Sequence, residues 1–180
     1  PVLACVAVGG TPEPGNCVAS AWFSANLASE ILDDLEDMQF MPEPVLPTKE
    51  QAMNLATSLV FKAFHDLSLI PDPHGACRAV QIFAEAGFKA SFGQHQDLLH
   101  KSLSVEQALM NYWEAVILKS GSVFMAGAGA GAAAGTTDER SIQGLAEYGT
   151  SLGVMLQLFD DCRDIFNQAD GEASHEISLP

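Results

Sequence analysis

The chain has 180 residues, 48% of them hydrophobic, enough to enclose the core of one ordinary domain. Its 23 acidic against 8 basic residues give a formal net charge of -15, which excludes direct binding to nucleic acid phosphates, because that needs clustered Lys and Arg, and requires metal ions between the protein and any phosphate ligand. Cys5, Cys17, Cys77 and Cys162 are scattered, with no C-x-x-C pair and no zinc spacing, and read as buried or free thiols in a reducing cytoplasm.

The first predicted helix runs from Cys17 to Phe40, where Trp22, Leu27, Ile31 and Leu35 recur at helical spacing. Pro42, Pro44 and Pro47 end it in an extended linker. Thr48 opens the next helix, its hydroxyl able to cap and Gln51 placed three residues on as in a capping box, and the pattern continues to about Ile70. Pro71-Asp72-Pro73 breaks the chain. Helical composition resumes from Gly75 to Leu99, from Ser104 to Lys119, and through a Gly/Ala-rich stretch to Ala134. That stretch, Ala126 to Ala134, reads as close helix packing rather than a flexible low-complexity tract, because small side chains let backbones approach. Thr137, followed by Asp138 and Glu139, starts the last long helix, which carries Leu145, Tyr148, Leu152, Leu156 and Phe159 towards Phe166. No uninterrupted apolar run of 18 residues and no basic n-region occur, so neither a transmembrane segment nor a signal peptide is expected. The chain starts in an apolar stretch without Met and stops at Leu179-Pro180 without a cap, so both ends are expected to be cut from a longer polypeptide. With no alternating strand pattern, the expectation is an all-α helix bundle forming a single domain over residues 1–180.

Two acidic constellations carry chemistry. They are Asp33-Asp34-Leu35-Glu36-Asp37 and Asp160-Asp161-Cys162-Arg163-Asp164, with identical aspartate spacing. On a helix of about 3.6 residues per turn the first and fifth carboxylates stack on one face, with the second within about a third of a turn. Such converging oxygens suit hard divalent ions, magnesium in particular, which binds through a few carboxylates, waters and substrate phosphates. A single acidic helix face is often only solvated; two matching clusters, each preceded by apolar residues, favour a shared metal site.

The sequence resembles the polyprenyl synthetases, which include farnesyl and geranylgeranyl diphosphate synthases. Leu32 to Asp37 is similar to that family's first aspartate-rich motif. Gly93-Gln94-His95-Gln96-Asp97-Leu98 resembles its G-Q-x-x-D-L segment, Tyr112 with Lys119-Ser120 its Y-x6-K-[TS] helix, and Gly153 to Asp161 its G-x3-Q-x2-D-D helix. Pro1-Val2-Leu3 and Ser178-Leu179-Pro180 look like the ends of its G-K-x-x-R-P and T-L-P segments. The resemblance implies an isoprenoid-synthase-type bundle and a transferase that condenses an allylic prenyl diphosphate head-to-tail with isopentenyl diphosphate. It implies magnesium held by Asp33, Asp34, Asp37, Asp160, Asp161 and Asp164, catalytic roles for Lys119 and Gln157, and substrate binding by Lys119, Ser120, Gln157, Gln94 and Asp97. A homodimer is implied as well.

Positions four, five and eight before Asp33 are Ser29, Ala28 and Ala25, which helix geometry directs towards a growing prenyl tail, with Trp22 as a floor. In the family bulky aromatics there stop elongation, so small residues imply a product longer than farnesyl. One departure stands out: Met38 to Pro47 holds no basic residue where the family carries paired arginines. The alternatives are a divergent allylic-diphosphate enzyme with another acceptor or a cyclisation, or a non-catalytic subunit of a prenyl synthase.

Overall fold

Proline and capping side chains decide where the helices of this computed structural model begin. The structure describes residues 1–38, 40–42, 48–100 and 104–169, apart from the side chains of His100, Val105, Ala108, Asp164, Ile165 and residues 167–169. Pro44 and Pro47 of the expected linker and the terminal Ser178-Leu179-Pro180 lie outside the described residues. Helix α1 covers Val2–Ala7, which the sequence pattern did not reveal, and α2 covers Pro12–Glu36. The expected start at Cys17 moves upstream because Pro12 and Pro14 occupy a first turn whose N–H groups have no intrahelical acceptor. Its end moves from Phe40 to Glu36. There the Asp37 N–H bonds the Asp33 carbonyl at 2.8 Å, and Met38 turns into the left-handed region with φ 59°.

Helix α3, Lys49–Ser68, begins as expected, with the Thr48 hydroxyl accepting the Gln51 N–H at 3.3 Å. Helix α4, Pro73–His100, is capped by Asp72: its carboxylate accepts the Gly75 N–H at 2.7 Å and its carbonyl the Ala76 N–H at 2.9 Å. Helix α5, Val105–Val116, opens on a complete Ser104/Gln107 capping box. It does not stop at Lys119. A π-helical turn, Ile117–Gly121, carries the chain without a break into α6, Ser122–Ala133. Helix α7, Glu139–Ala169, starts one residue later than expected, because Asp138 and not Thr137 supplies the cap: its carboxylate accepts the Ser141 N–H and its carbonyl the Ile142 N–H, both at 3.1 Å. No strand occurs among the described residues.

Helix α6 is the centre of the packing and touches α1, α2, α4 and α7, while α2 packs along α3. Its small residues are the reason. Ala126, Gly127, Gly129, Ala130, Gly131, Ala132 and Ala133 are all buried, and a methyl added at Gly129 would stand 3.1 Å from Ala146 Cβ. Around this helix Val18, Ala21, Leu67, Ile82, Phe83 and Ile142 form the core. Burying one Leu or Ile side chain there contributes roughly 2 kcal/mol. On α7 the inner face is Ile142, Leu145 and Gly149, and the bulky series expected along it ends outward: Tyr148 is 60% and Phe159 66% exposed. The span Leu109–Ala133 is long and apolar enough to cross a membrane by length and composition, yet 56% of its most apolar 18-residue stretch is buried inside the fold, as befits a core helix, and Glu114 and Lys119 interrupt the span.

Candidate active site

The π-helical turn at Ile117–Gly121 faces Lys119 and Ser120, neighbours in sequence, towards different helices. The Lys119 ammonium lies 3.0 Å from Asp97 Oδ2 on α4 and 3.4 Å from Asp33 Oδ1 on α2. The Ser120 hydroxyl donates to Gln157 Oε1 on α7 at 2.6 Å, and Gln157 Nε2 donates to Asp161 Oδ1 at 2.9 Å. Tyr112, on α5, donates its hydroxyl to Asp161 Oδ2. One turn of helix thus joins the first aspartate cluster to the second.

Two motif glycines make room for that turn. A methyl on Gly93 would stand 2.8 Å from Leu118 Cβ, and one on Gly153 would run into the Ser120 carbonyl oxygen. Insertions of this wider helical form are frequent at functional sites. Trp22, expected as a floor, is held by close approach in the same way. Trp22 Nε1 donates to the Val123 carbonyl at 2.8 Å, its ring meets Phe124 edge-on at 5.7 Å, and a methyl on Gly127 would sit 2.9 Å from Trp22 Cδ1.

Charge is arranged in step with geometry. Burial alone would push the Lys119 ammonium towards neutrality, but the Asp33 charge and the Asp97 hydrogen bond more than reverse this and hold its pKa above the usual lysine value. Burial first, and then Asp161, push the Tyr112 phenol up, so at neutral pH it remains a donor. Asp160 meets Arg163 of its own helix at 3.2 Å.

Among the described residues no three His, Cys, Asp or Glu side chains already form a metal cage. The donor set still fits magnesium: carboxylate oxygens stand on α2 and α7, and the place between Asp33 and Asp97 already balances positive charge, that of Lys119. Magnesium takes only a few carboxylates and completes its shell with water and phosphate oxygens. Asp34 is exposed, Asp37 ends α2, and the Asp164 side chain lies outside the described residues. Gln94 is half-buried on α4, and neither buried polar atom of its amide has a hydrogen-bond partner among the described residues.

The stripe of α2 expected to face a prenyl tail divides. Asp33, Ser29, Ala25 and Trp22 fall on one side of the helix, its two ends held against Lys119 and Val123 of the same continuous rod. Ser29 is exposed and bonds back to the Asn26 carbonyl at 2.8 Å. Helix geometry turns Ala28, 1% exposed, to the other side with Ser24, next to Ser20 and its bond to Asp66 of α3.

The family model of the polyprenyl synthetases matches residues 45–173, most of the chain. This chain belongs to the polyprenyl synthetase family. A short chain isoprenyl diphosphate synthase of Methanothermobacter thermautotrophicus is 27% identical over 94% of this chain and 53% of its own length. A geranylfarnesyl diphosphate synthase of Methanosarcina mazei is 27% identical over 82% of this chain and 49% of its own. The geranylgeranyl pyrophosphate synthetase structure from Pyrococcus horikoshii superposes with TM-score 0.77 at 27% identity, over 91% of this chain and 52% of that one. The chain therefore spans about half the length of the relatives it matches.

Within this polyprenyl synthetase fold, sequence reasoning missed two roles. Asp97 grips Lys119, and Tyr112 grips Asp161. For Tyr112 regular helix spacing points elsewhere, since seven residues before Lys119 is the face that Lys119 turns to Asp33 and Asp97, whereas Tyr112 reaches Asp161 on α7. Nothing in the local sequence ties Asp97 to Lys119, which belong to different helices.

Proposed function

We propose that the full-length protein elongates an allylic prenyl diphosphate with isopentenyl diphosphate by magnesium-dependent head-to-tail condensation. The observation that carries this reading is the single π turn whose Lys119 meets Asp33 and Asp97 while its Ser120 reaches Asp161 through Gln157. The relatives, named as short chain isoprenyl, geranylfarnesyl and geranylgeranyl diphosphate synthases, support it.

In this reading Asp33, Asp34, Asp37, Asp160, Asp161 and Asp164 would hold magnesium, which when bound supplies positive charge against a departing diphosphate. Lys119 presents a charged ammonium to the same diphosphate, and removal of competing water strengthens that attraction. The carbon to oxygen bond breaks with its electron pair leaving on the diphosphate. Ser120 and Gln157 present oxygens near the cationic carbon. The double bond of isopentenyl diphosphate then forms the new carbon to carbon bond, and a proton is lost. The small Ser29 and Ala25 above Trp22 support a product longer than farnesyl. The reading includes a homodimer, from the family resemblance, and a cytoplasmic location, from the scattered free cysteines.

One feature favours a second reading. Met38 to Pro47 contains no Lys or Arg, so a binding site for the second diphosphate lacks charge on this segment. An enzyme that ionises the allylic substrate without isopentenyl diphosphate, or a non-catalytic subunit, would tolerate that. Incorporation of labelled isopentenyl diphosphate by the full-length protein, with geranyl, farnesyl or geranylgeranyl diphosphate as primer and Asp33→Ala as control, decides between them. Magnesium-dependent product beyond fifteen carbons, lost in the control, is expected. Primer consumption without isopentenyl diphosphate would favour the divergent enzyme, and no consumption by folded protein the partner subunit.

A further inference from the structure

We propose that Tyr112 is a positioning residue that sets the plane of the Asp161 carboxylate for its cation, an inference that rests on the metal-dependent reading above. An ionised carboxylate offers about four lone-pair sites. Gln157 donates to Oδ1 and Tyr112 to Oδ2, so among the described residues each oxygen accepts one hydrogen bond, which leaves it a lone pair for a cation. The two donors come from different elements. Gln157 is one turn back on α7 and is itself fixed by Ser120, whereas Tyr112 reaches across from α5. Tyr112 lies two turns before Lys119 on the same continuous rod, so the rod that places an ammonium at Asp33 also orients a carboxylate on the opposite helix. Asp161 is half-buried, and these two hydrogen bonds, one to each oxygen, hold its carboxylate from two sides. Outer-shell partners of metal-binding carboxylates typically change metal affinity by about 10- to 100-fold when removed.

Tyr112→Phe removes the hydroxyl and keeps the ring that packs edge-on against Trp113 at 5.6 Å. The test is Mn2+ titration of the full-length protein with inorganic pyrophosphate, followed by electron paramagnetic resonance, with thermal unfolding as a check of folding. Tyr112→Phe is expected to weaken Mn2+ binding by roughly 10- to 100-fold, and to add nothing in an Asp161→Asn background. Should Tyr112→Phe not fold, Tyr112→Met, which fills the space without a donor, is read in the same way. Unchanged affinity, an equal loss in the Asp161→Asn background, or a parent protein that binds no Mn2+ would overturn the inference. Turnover is not part of this readout. Intact Mn2+ binding that Tyr112→Phe weakens, in a protein that consumes no isopentenyl diphosphate, would sink the elongation reading and leave the role of Tyr112 standing.

Discussion

Asp66 ties two helices together with one carboxylate. It is 9% exposed, accepts the Ser20 hydroxyl of α2 at 2.7 Å, and meets Lys62 Nζ of its own helix at 2.5 Å. Burial pushes its carboxyl up, and the Lys62 and Ser20 hydrogen bonds more than reverse that, so it titrates below the usual carboxylate range. A folded-state pKa held down contributes stability above the unfolded value, about 3.9, and loses it as pH falls through the lower folded value. Ser20→Ala is therefore expected to cost about 1 kcal/mol at pH 7 and progressively less as pH falls from about 4 through the lower folded value, where Asp66 takes up its proton. Urea unfolding of both proteins at neutral pH and at the acid end of that range measures it, and an equal cost at both would show that the serine acts through packing alone. The same contrast governs the candidate site. The aspartate clusters were legible because helix period alone brings first and fifth carboxylates together, whereas the pairings Ser20 with Asp66 and Lys119 with Asp97 join residues on different helices, which no local spacing encodes.

At the scale of elements, the end signals were legible and the internal irregularity was not. Thr48 and Ser104 cap where their side chains predict, because an N-cap satisfies orphan N–H groups by a purely local bond. The π turn has no such local cause. It sits where Gly93 and Gly153 bring two neighbouring helices against the rod. Alanine at Gly153 would drive a methyl into the Ser120 carbonyl, so Gly153→Ala is expected to destabilise by about 1–3 kcal/mol although alanine is the better helix former. Gly144, on the same helix α7, has nothing within 4 Å of an added methyl. Gly144→Ala is expected to stabilise by up to about 1 kcal/mol. Thermal unfolding of the two variants separates the effects. If Gly153→Ala melts above the parent, the close approach of α7 to the π turn is not maintained in solution.

For the whole molecule the dominant quantity is charge. A formal -15, with acidic residues gathered on α2 and α7, makes the carboxylates repel one another until cations arrive. Magnesium together with pyrophosphate is expected to raise the unfolding temperature of the full-length protein more than either alone. Saturation at about 100 times the dissociation constant corresponds to about 2.7 kcal/mol. Asp33→Asn and Asp161→Asn should each remove most of that gain. Sodium chloride at matched ionic strength supplies the comparison, and an equal rise with salt would assign the effect to screening rather than to a site.

Helix content, most helix ends and the two acidic clusters were determined by the sequence by itself, because each depends on side chains within a turn or two of one another. Which turn of helix those clusters meet was a tertiary decision. It followed from the Gly/Ala-rich α6, which lets α2, α4 and α7 close around one rod, and from the π turn that faces Lys119 to one cluster and Ser120 to the other. Close approach of backbones is a property of facing surfaces, and a one-dimensional pattern shows only that small residues permit it, not which helices will use the space.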